Sequence, residues 1–149
     1  MIKKIEFLGL LALLLLQALF ALWNFNLLRA EWFLSQGKPL EAVATASFSY
    51  KLQFAAGTAL LQAKKYEPAI VHLNAAIKLY PSYLDAWNNL AVAHIGQKHY
   101  ATALNILEWQ RRKFPMYKPA QDNYEQLKRM QKGSRKKRGK GTTNPTPSR

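Results

Sequence analysis

The side chains able to do chemistry are few, and their spacing argues against a catalytic centre. The three histidines, His72, His94 and His99, are the groups that could carry protons near neutral pH, and cysteine is absent. Without cysteine there is no thiol nucleophile, thiolate metal site or disulfide framework. His94 and His99 are five residues apart, which does not place them on one helix face. The carboxylates are scattered singly, and the chain contains no Gly-x-Ser-x-Gly, no His-Glu-x-x-His and no glycine-rich phosphate loop. The expectation is a protein that is not an enzyme and holds neither cofactor nor metal. A second kind of chemistry is electrostatic: Arg135, Lys136, Lys137, Arg138 and Lys140 form a run that could meet the phosphates of nucleic acid or of anionic lipid. No aromatic residue interleaves the run, so base stacking is not offered, and a solubilising tail is the expected role.

The charge is placed unevenly. Of the formal net charge of +14, the segment from Arg111 onward holds 13 bases and 2 acids, hence +11, and the preceding residues hold 9 bases and 6 acids, hence +3. The body of the chain is nearly balanced, and the cationic character belongs to its C-terminal end.

The elements that position these groups are set by an internal repeat. Tyr50 to Tyr83 and Leu84 to Tyr117 align without a gap at a period of 34 residues, with Gly57 facing Ala91, Tyr66 facing Tyr100, Ala69 facing Ala103, Leu73 facing Leu107 and Pro81 facing Pro115. In the later copy Trp87, Leu90, Ala91 and His94 make one helical stripe, and Tyr100, Ala103, Leu104 and Leu107 make a second one after Gly96. Each copy therefore reads as a pair of antiparallel amphipathic helices. The small residues allow close approach of the helices, their large neighbours fill the space beside them, and Pro81 and Pro115 end each second helix.

At these positions the sequence resembles the tetratricopeptide repeat (TPR) family, whose pattern of Trp, Leu, Gly and Tyr, then Ala and Phe, then Pro is met by Trp87, Leu90, Ala91, His94, Ala103, Leu107 and Pro115. The earlier copy supplies Ala56, Gly57, Leu60, Ala69, Leu73, Ala76 and Pro81, with Gln53 departing from the large first residue. The resemblance implies an all-α fold, a short α-solenoid with a concave protein-binding face. The positions that line that face map onto Lys51, Phe54, Thr58, Leu61 and Gln62 in one repeat and Asp85, Asn88, Val92 and Ile95 in the next. It also implies that the carboxylate clamp by which some members hold chaperone tails is largely missing, because Phe54 and Thr58 stand where Lys and Asn are needed and only Asn89 and Asn123 fit. The expected partner is a protein or peptide segment in the groove.

Ahead of the repeats, Phe7 to Phe25 runs without a charge. At ~1.5 Å per residue this stretch is about 28 Å long, close to the hydrocarbon thickness of a bilayer. It is longer than the core of a cleavable signal, and Leu19-Phe20-Ala21 is a poor cleavage site, so an uncleaved signal-anchor is expected. Lys3 and Lys4 nearly tie with Arg29 and Lys38, and the short basic leader ahead of the first apolar segment is expected to stay in the cytoplasm and send the repeats across, to the periplasm in a bacterium. The predicted organisation is an anchor and juxtamembrane helix over residues 1–34 and a TPR domain over 35–131. That domain comprises a degenerate unit (35–49), repeats 50–83 and 84–117 and a capping helix (118–131), and a disordered basic tail follows over 132–149. The whole is similar to short membrane-anchored bacterial TPR proteins. The expected function is a membrane-anchored scaffold that assembles proteins, as in an envelope complex, with tail-driven binding of RNA, ribosomes or anionic lipid as the alternative.

Overall fold

A computed structural model describes the backbone of residues 2–140 and the side chains of residues 8–133. Among the described residues it is built of helices alone: α1 (Ile2–Ser35), α2 (Pro39–Thr45), α3 (Tyr50–Gln62), α4 (Tyr66–Leu79), α5 (Leu84–Gly96), α6 (Tyr100–Lys113) and α7 (Lys118–Lys140). Each helix packs on the next as an antiparallel neighbour, and α3, α5 and α7 also touch one another across repeats, whereas α4 and α6 make no comparable contact. The layer therefore curves with α3, α5 and α7 on its inner side.

The turn inside each hairpin is the same in all three units. Lys38 N–H donates to Phe33 O and Gly37 N–H to Leu34 O, and the pattern recurs with Lys65 to Leu60 and Lys64 to Leu61, then with His99 to His94 and Lys98 to Ile95. This pair of bonds satisfies the last carbonyls of the helix and requires a left-handed residue just beyond it. Gly37 adopts φ 69° without a Cβ penalty, while Lys64 and Lys98 are held at φ 58° and 65° by the packing on either side. The turn at Gly37 precedes that at Lys64 by 27 residues, and Lys64 precedes Lys98 by 34. The missing residues are all in α2, which has 7 residues where α4 and α6 have 14.

The core is a row of small clusters, one at each junction, as expected of a quasi-one-dimensional fold. Ala30, Ala42, Val43, Ala46, Leu52 and Ala56 form the first, so the last turns of α1 serve as the opening helix of the shortened unit. Leu60, Ala69, Leu73 and Leu90 anchor the second, and Ala91, Ala103, Leu107, Ala120 and Leu127 the third. Close approach is literal at two glycines. A Cβ on Gly57 would stand 2.8 Å from Leu73 Cγ, and one on Gly96 would stand 2.3 Å from the Tyr66 ring.

α7 caps the last repeat with Ala120 and Leu127 buried, whereas Met130, predicted on the same stripe, is 48% exposed. The sequence reading ended this helix at Gly133, but it continues to Lys140. One interior glycine costs only about 1 kcal/mol, and the Lys and Arg residues beyond it are good helix formers with no proline before residue 145. The backbone of the basic run is thus helical, its side chains lie outside those described, and residues 141–149 of the predicted tail lie outside the described residues altogether.

Two histidines give the fold a pH dependence. His72 Nδ1–H donates to Gln53 Oε1 at 2.8 Å, and Gln53 in turn donates to Ser47 O, tying α4 to α3 and to the turn before it. Burial pushes His72 below its ordinary value near 6.5, and burial followed by the nearby His99 does the same to His94. Both groups bind protons more readily when the chain unfolds, so their contribution is fully present above about pH 6.5 and is lost as pH falls below it toward the folded-state values. Melting followed by circular dichroism should show a lower Tm at pH 5.5 than at pH 7.5, with a smaller difference in His94→Tyr. An equal Tm at both values would refute the assignment.

Candidate functional site

The inner face is built by α3, α5 and α7, and the predicted binding residues meet there with unequal freedom. Lys51, Gln62 and Asp85 are exposed, while Phe54, Thr58, Leu61, Val92 and Ile95 are half-buried. Asn88 is buried. Its Oδ1 accepts a hydrogen bond of 2.8 Å from Asn123 Nδ2 on α7, so it is a structural bridge and not the free contact that its polarity suggested. Phe54 likewise packs edge-on against Tyr83, with ring centroids 4.8 Å apart, and supports the central cluster.

What the sequence reading missed is that polar groups of the inner helices bind one another across repeats. Asn89 Nδ2 donates to Thr58 Oγ1 at 3.0 Å, and Tyr117 Oη donates to Asp85 Oδ1 at 2.6 Å. Burial, followed by this bond to Asp85, pushes the Tyr117 phenol far above its ordinary range, so it acts as a permanent donor. The signal was in the sequence: Asn89 and Asn123 are 34 residues apart, as are Tyr83 and Tyr117.

What remains of the inner face is apolar at Phe54, Leu61, Val92 and Ile95, with Lys51 and Asp85 in the first turns of α3 and α5 and Tyr117 bonded to Asp85. It can bury an apolar side chain against Phe54 and Val92 and hydrogen-bond an extended or helical backbone. His94 and His99 have ring centroids 6.0 Å apart, His72 is engaged with Gln53, and among the described residues no three His, Asp or Glu converge. On the outer side, Trp87, Asn105, Ile106 and Trp109 line a depression of about 260 Å³. The Trp87 indole is fixed there by its bond to Pro81 O at 2.9 Å.

The sequence profile described as tetratricopeptide repeat matches residues 60–127, from the end of α3 to α7. Residues 60–127 are thus of tetratricopeptide repeat type. Solved structures of TPR domains share the fold. The second TPR domain of human RPAP3, in complex with an HSP70 peptide, is 22% identical with a TM-score of 0.59 over 70% of this chain and 97% of that one. The first TPR of Spaghetti (RPAP3), bound to an HSP90 peptide, is 18% identical with a TM-score of 0.58 over 72% and 90%. MamA is 17% identical with a TM-score of 0.52 over 76% and 80%. Among curated protein sequences none matches the chain. The TPR assignment accounts for His94, which stands at the family's Tyr position and packs in the hairpin rather than facing a ligand.

Proposed function

We propose that this chain is a membrane-anchored TPR scaffold that holds a segment of a protein partner in its inner trough beside the bilayer, in the assembly of an envelope complex. The observation that carries the reading is the joining of two features in one element. α1 includes a 28-residue stretch, Leu8–Ser35, long and apolar enough to cross a membrane, and its last turns are packed into the first repeat. The trough is thereby fixed to the span with no linker. Lys3 and Lys4 favour an orientation with the repeats on the non-cytoplasmic side.

The similar domains of RPAP3 hold HSP70 and HSP90 peptides that end in Glu-Val-Asp. A TPR groove of this size accommodates such a segment, but here Phe54 and Thr58 replace the groups that hold a terminal carboxylate. The partner segment favoured by this trough is mixed in charge with an apolar anchor, because Lys51 and Asp85 stand at the same position of the neighbouring helices α3 and α5 and offer both signs of charge.

A photo-crosslinking residue placed at Gln62, exposed on the inner face, should capture a discrete partner in the native membrane, and the same residue at Val71, 65% exposed on α4, should not. Adding Lys51→Glu should abolish the adduct, and a competing peptide ending in Glu-Glu-Val-Asp should leave it unchanged. Equal capture from Val71, or loss of capture only when residues 134–149 are deleted, would overturn the trough and favour binding through the basic segment.

A further inference from the structure

We propose that one edge of the repeat layer, bearing the turns 46–49, 80–83 and 114–117, lies on the bilayer surface and contacts anionic lipid through an apolar and basic fringe. The inference rests on the anchored reading of α1 and goes beyond it, because an anchor alone leaves the repeats free to stand in water.

Topology places these three turns together. Successive helices alternate in direction, so every turn that follows an even-numbered helix falls on the edge from which α1 enters, and every turn within a hairpin falls on the opposite edge. The ring contact of Trp23 with Phe48, 4.4 Å between centroids, fixes the depth of the first turn. Trp23 lies near the end of the uncharged stretch, where indole rings settle at the headgroup level, so the turn that stacks on it is held at that level. Contacts then run along the edge: Tyr50 touches Tyr80 at 4.8 Å and Tyr83 at 5.3 Å, and Tyr117 reaches Asp85.

The two edges differ in chemistry. The membrane-side turns expose Phe48 (43%), Tyr80 (45%) and Met116 (93%), with Leu79 (46%) ending α4 beside them. Met116 is the most exposed of them, and together with the aromatic tips it makes an apolar row along this edge rather than a single exposed side chain. The hairpin turns opposite, Gln36–Lys38, Ala63–Lys65 and Gln97–His99, expose no large apolar side chain, although Leu34 and Leu40 flank the first of them.

Both edges are basic, the hairpin edge through Lys38, Lys64, Lys65 and Lys98, so it is the apolar fringe that distinguishes the two and the cations that allow this one to meet phosphates. Lys78 and Arg112 with Lys113 lie in the last turns of α4 and α6, and Lys51 and Lys118 lie in the first turns of α3 and α7, all exposed at this edge. The acid beside them, Asp85, already accepts from Tyr117. Aromatic and apolar tips flanked by lysine and arginine are the composition that binds the interface of an anionic leaflet, with the cations at the phosphates and the tips below them. Lipid is favoured over a second copy because this edge is continuous with the apolar span.

The absence of native cysteine allows a direct test in the full chain, reconstituted in phosphatidylcholine vesicles containing phosphatidylglycerol. An environment-sensitive fluorophore on Met116→Cys should be blue-shifted and quenched by bromine on the lipid chains, whereas on Ala63→Cys, exposed at the opposite edge, it should be neither. Reversing Lys78, Arg112, Lys113 and Lys118 to Glu should return the Met116 probe to water. A probe on Leu14→Cys reports on the anchor separately. If it is quenched while the probe at Met116 behaves like that at Ala63, the edge proposal falls and the anchor stands. If the Leu14 probe is itself in water, the anchor falls and the edge proposal with it. A Met116 probe shielded from aqueous iodide but untouched by brominated lipid would identify a protein cover and refute the lipid assignment.

Discussion

Ala103→Trp is expected to abolish cooperative melting of the repeats in detergent-solubilised full chain. Ala103 is fully buried among Ala91, Leu107, Ala120 and Leu127, where α5, α6 and α7 converge. An indole there is far larger than the methyl it replaces and must push α6 from its neighbours. Overpacking costs typically about 1–3 kcal/mol even for a few extra methylenes, and the total stability of a domain of this size is only about 5–15 kcal/mol. The third junction is also the one that ties on α7, so its loss propagates to the cap. Gly57→Leu should act in the same direction at the preceding hairpin, since the added side chain meets Leu73 and, at 3.3 Å, the carbonyl of Ala69. Far-ultraviolet circular dichroism should show a broad, non-sigmoidal loss of helix for Ala103→Trp. A sharp transition within a degree or two of wild type would mean that Ala103 does not face a neighbouring helix, contrary to the packing.

The period carried most of the architecture because the small residues that recur with it are those that pack. Gly57, Ala69, Ala91 and Ala103 are all buried, and so are Leu73 and Leu107 beside them. Local pattern was enough there, since each hairpin is closed by contacts within one unit or with its sequential neighbour. Asn88 shows where local pattern fails. An asparagine near the edge of an apolar stripe reads as a solvent contact, and only the position of Asn123, 35 residues later on the capping helix, makes it a buried bridge. Gln53 and Gln110 are of the same kind. Gln53 stands where the next repeat has Trp87 and bonds to His72, and Gln110 donates to Leu84 O at 2.9 Å while fully buried. Their amide nitrogens or oxygens meet groups 19 and 26 residues away, a distance at which periodicity is silent, and Gln110 Oε1 is buried without a partner. The length of α7 was misjudged for a different reason, because the weak penalty of Gly133 was given the weight of a helix stop. That Lys51, Leu61, Val92 and Ile95 fall on the inner helices was legible by alignment to the repeat. The residues bound across repeats needed the third dimension.

Leu14→Arg combined with Leu15→Arg is expected to move the chain from the membrane fraction to the soluble fraction after alkaline carbonate extraction, whereas the unmodified chain should stay in the pellet at full length. Leu14 and Leu15 lie near the middle of the uncharged stretch and are 54% and 58% exposed, so neither supports the packing of the repeats. An arginine at the centre of a spanning helix costs about 2.5–3.5 kcal/mol on the insertion scale, and each lost leucine removes a further few tenths. Two such changes outweigh the margin by which a single span of this composition inserts. Retention of the double variant in the pellet would show that α1 does not hold the chain by spanning. Recovery of an unmodified product beginning near Asn24 would show that the segment is cleaved. That second result has a structural consequence that can be read independently. Cleavage there removes Trp23, whose ring stacks on Phe48, and leaves the buried Ala30 on a helix that starts only a turn and a half earlier. A helix so shortened has lost most of its own hydrogen-bonded turns, and the first core cluster would have to hold it by packing alone. The chain from residue 24 onward is therefore expected to melt at lower temperature than the full chain, with the loss confined to α1, α2 and the start of α3. Hydrogen exchange at Ala42, Val43 and Leu52 would report it. Equal protection in both forms would mean that the first repeat does not depend on the span, and the rigid coupling between bilayer and trough would fail with it.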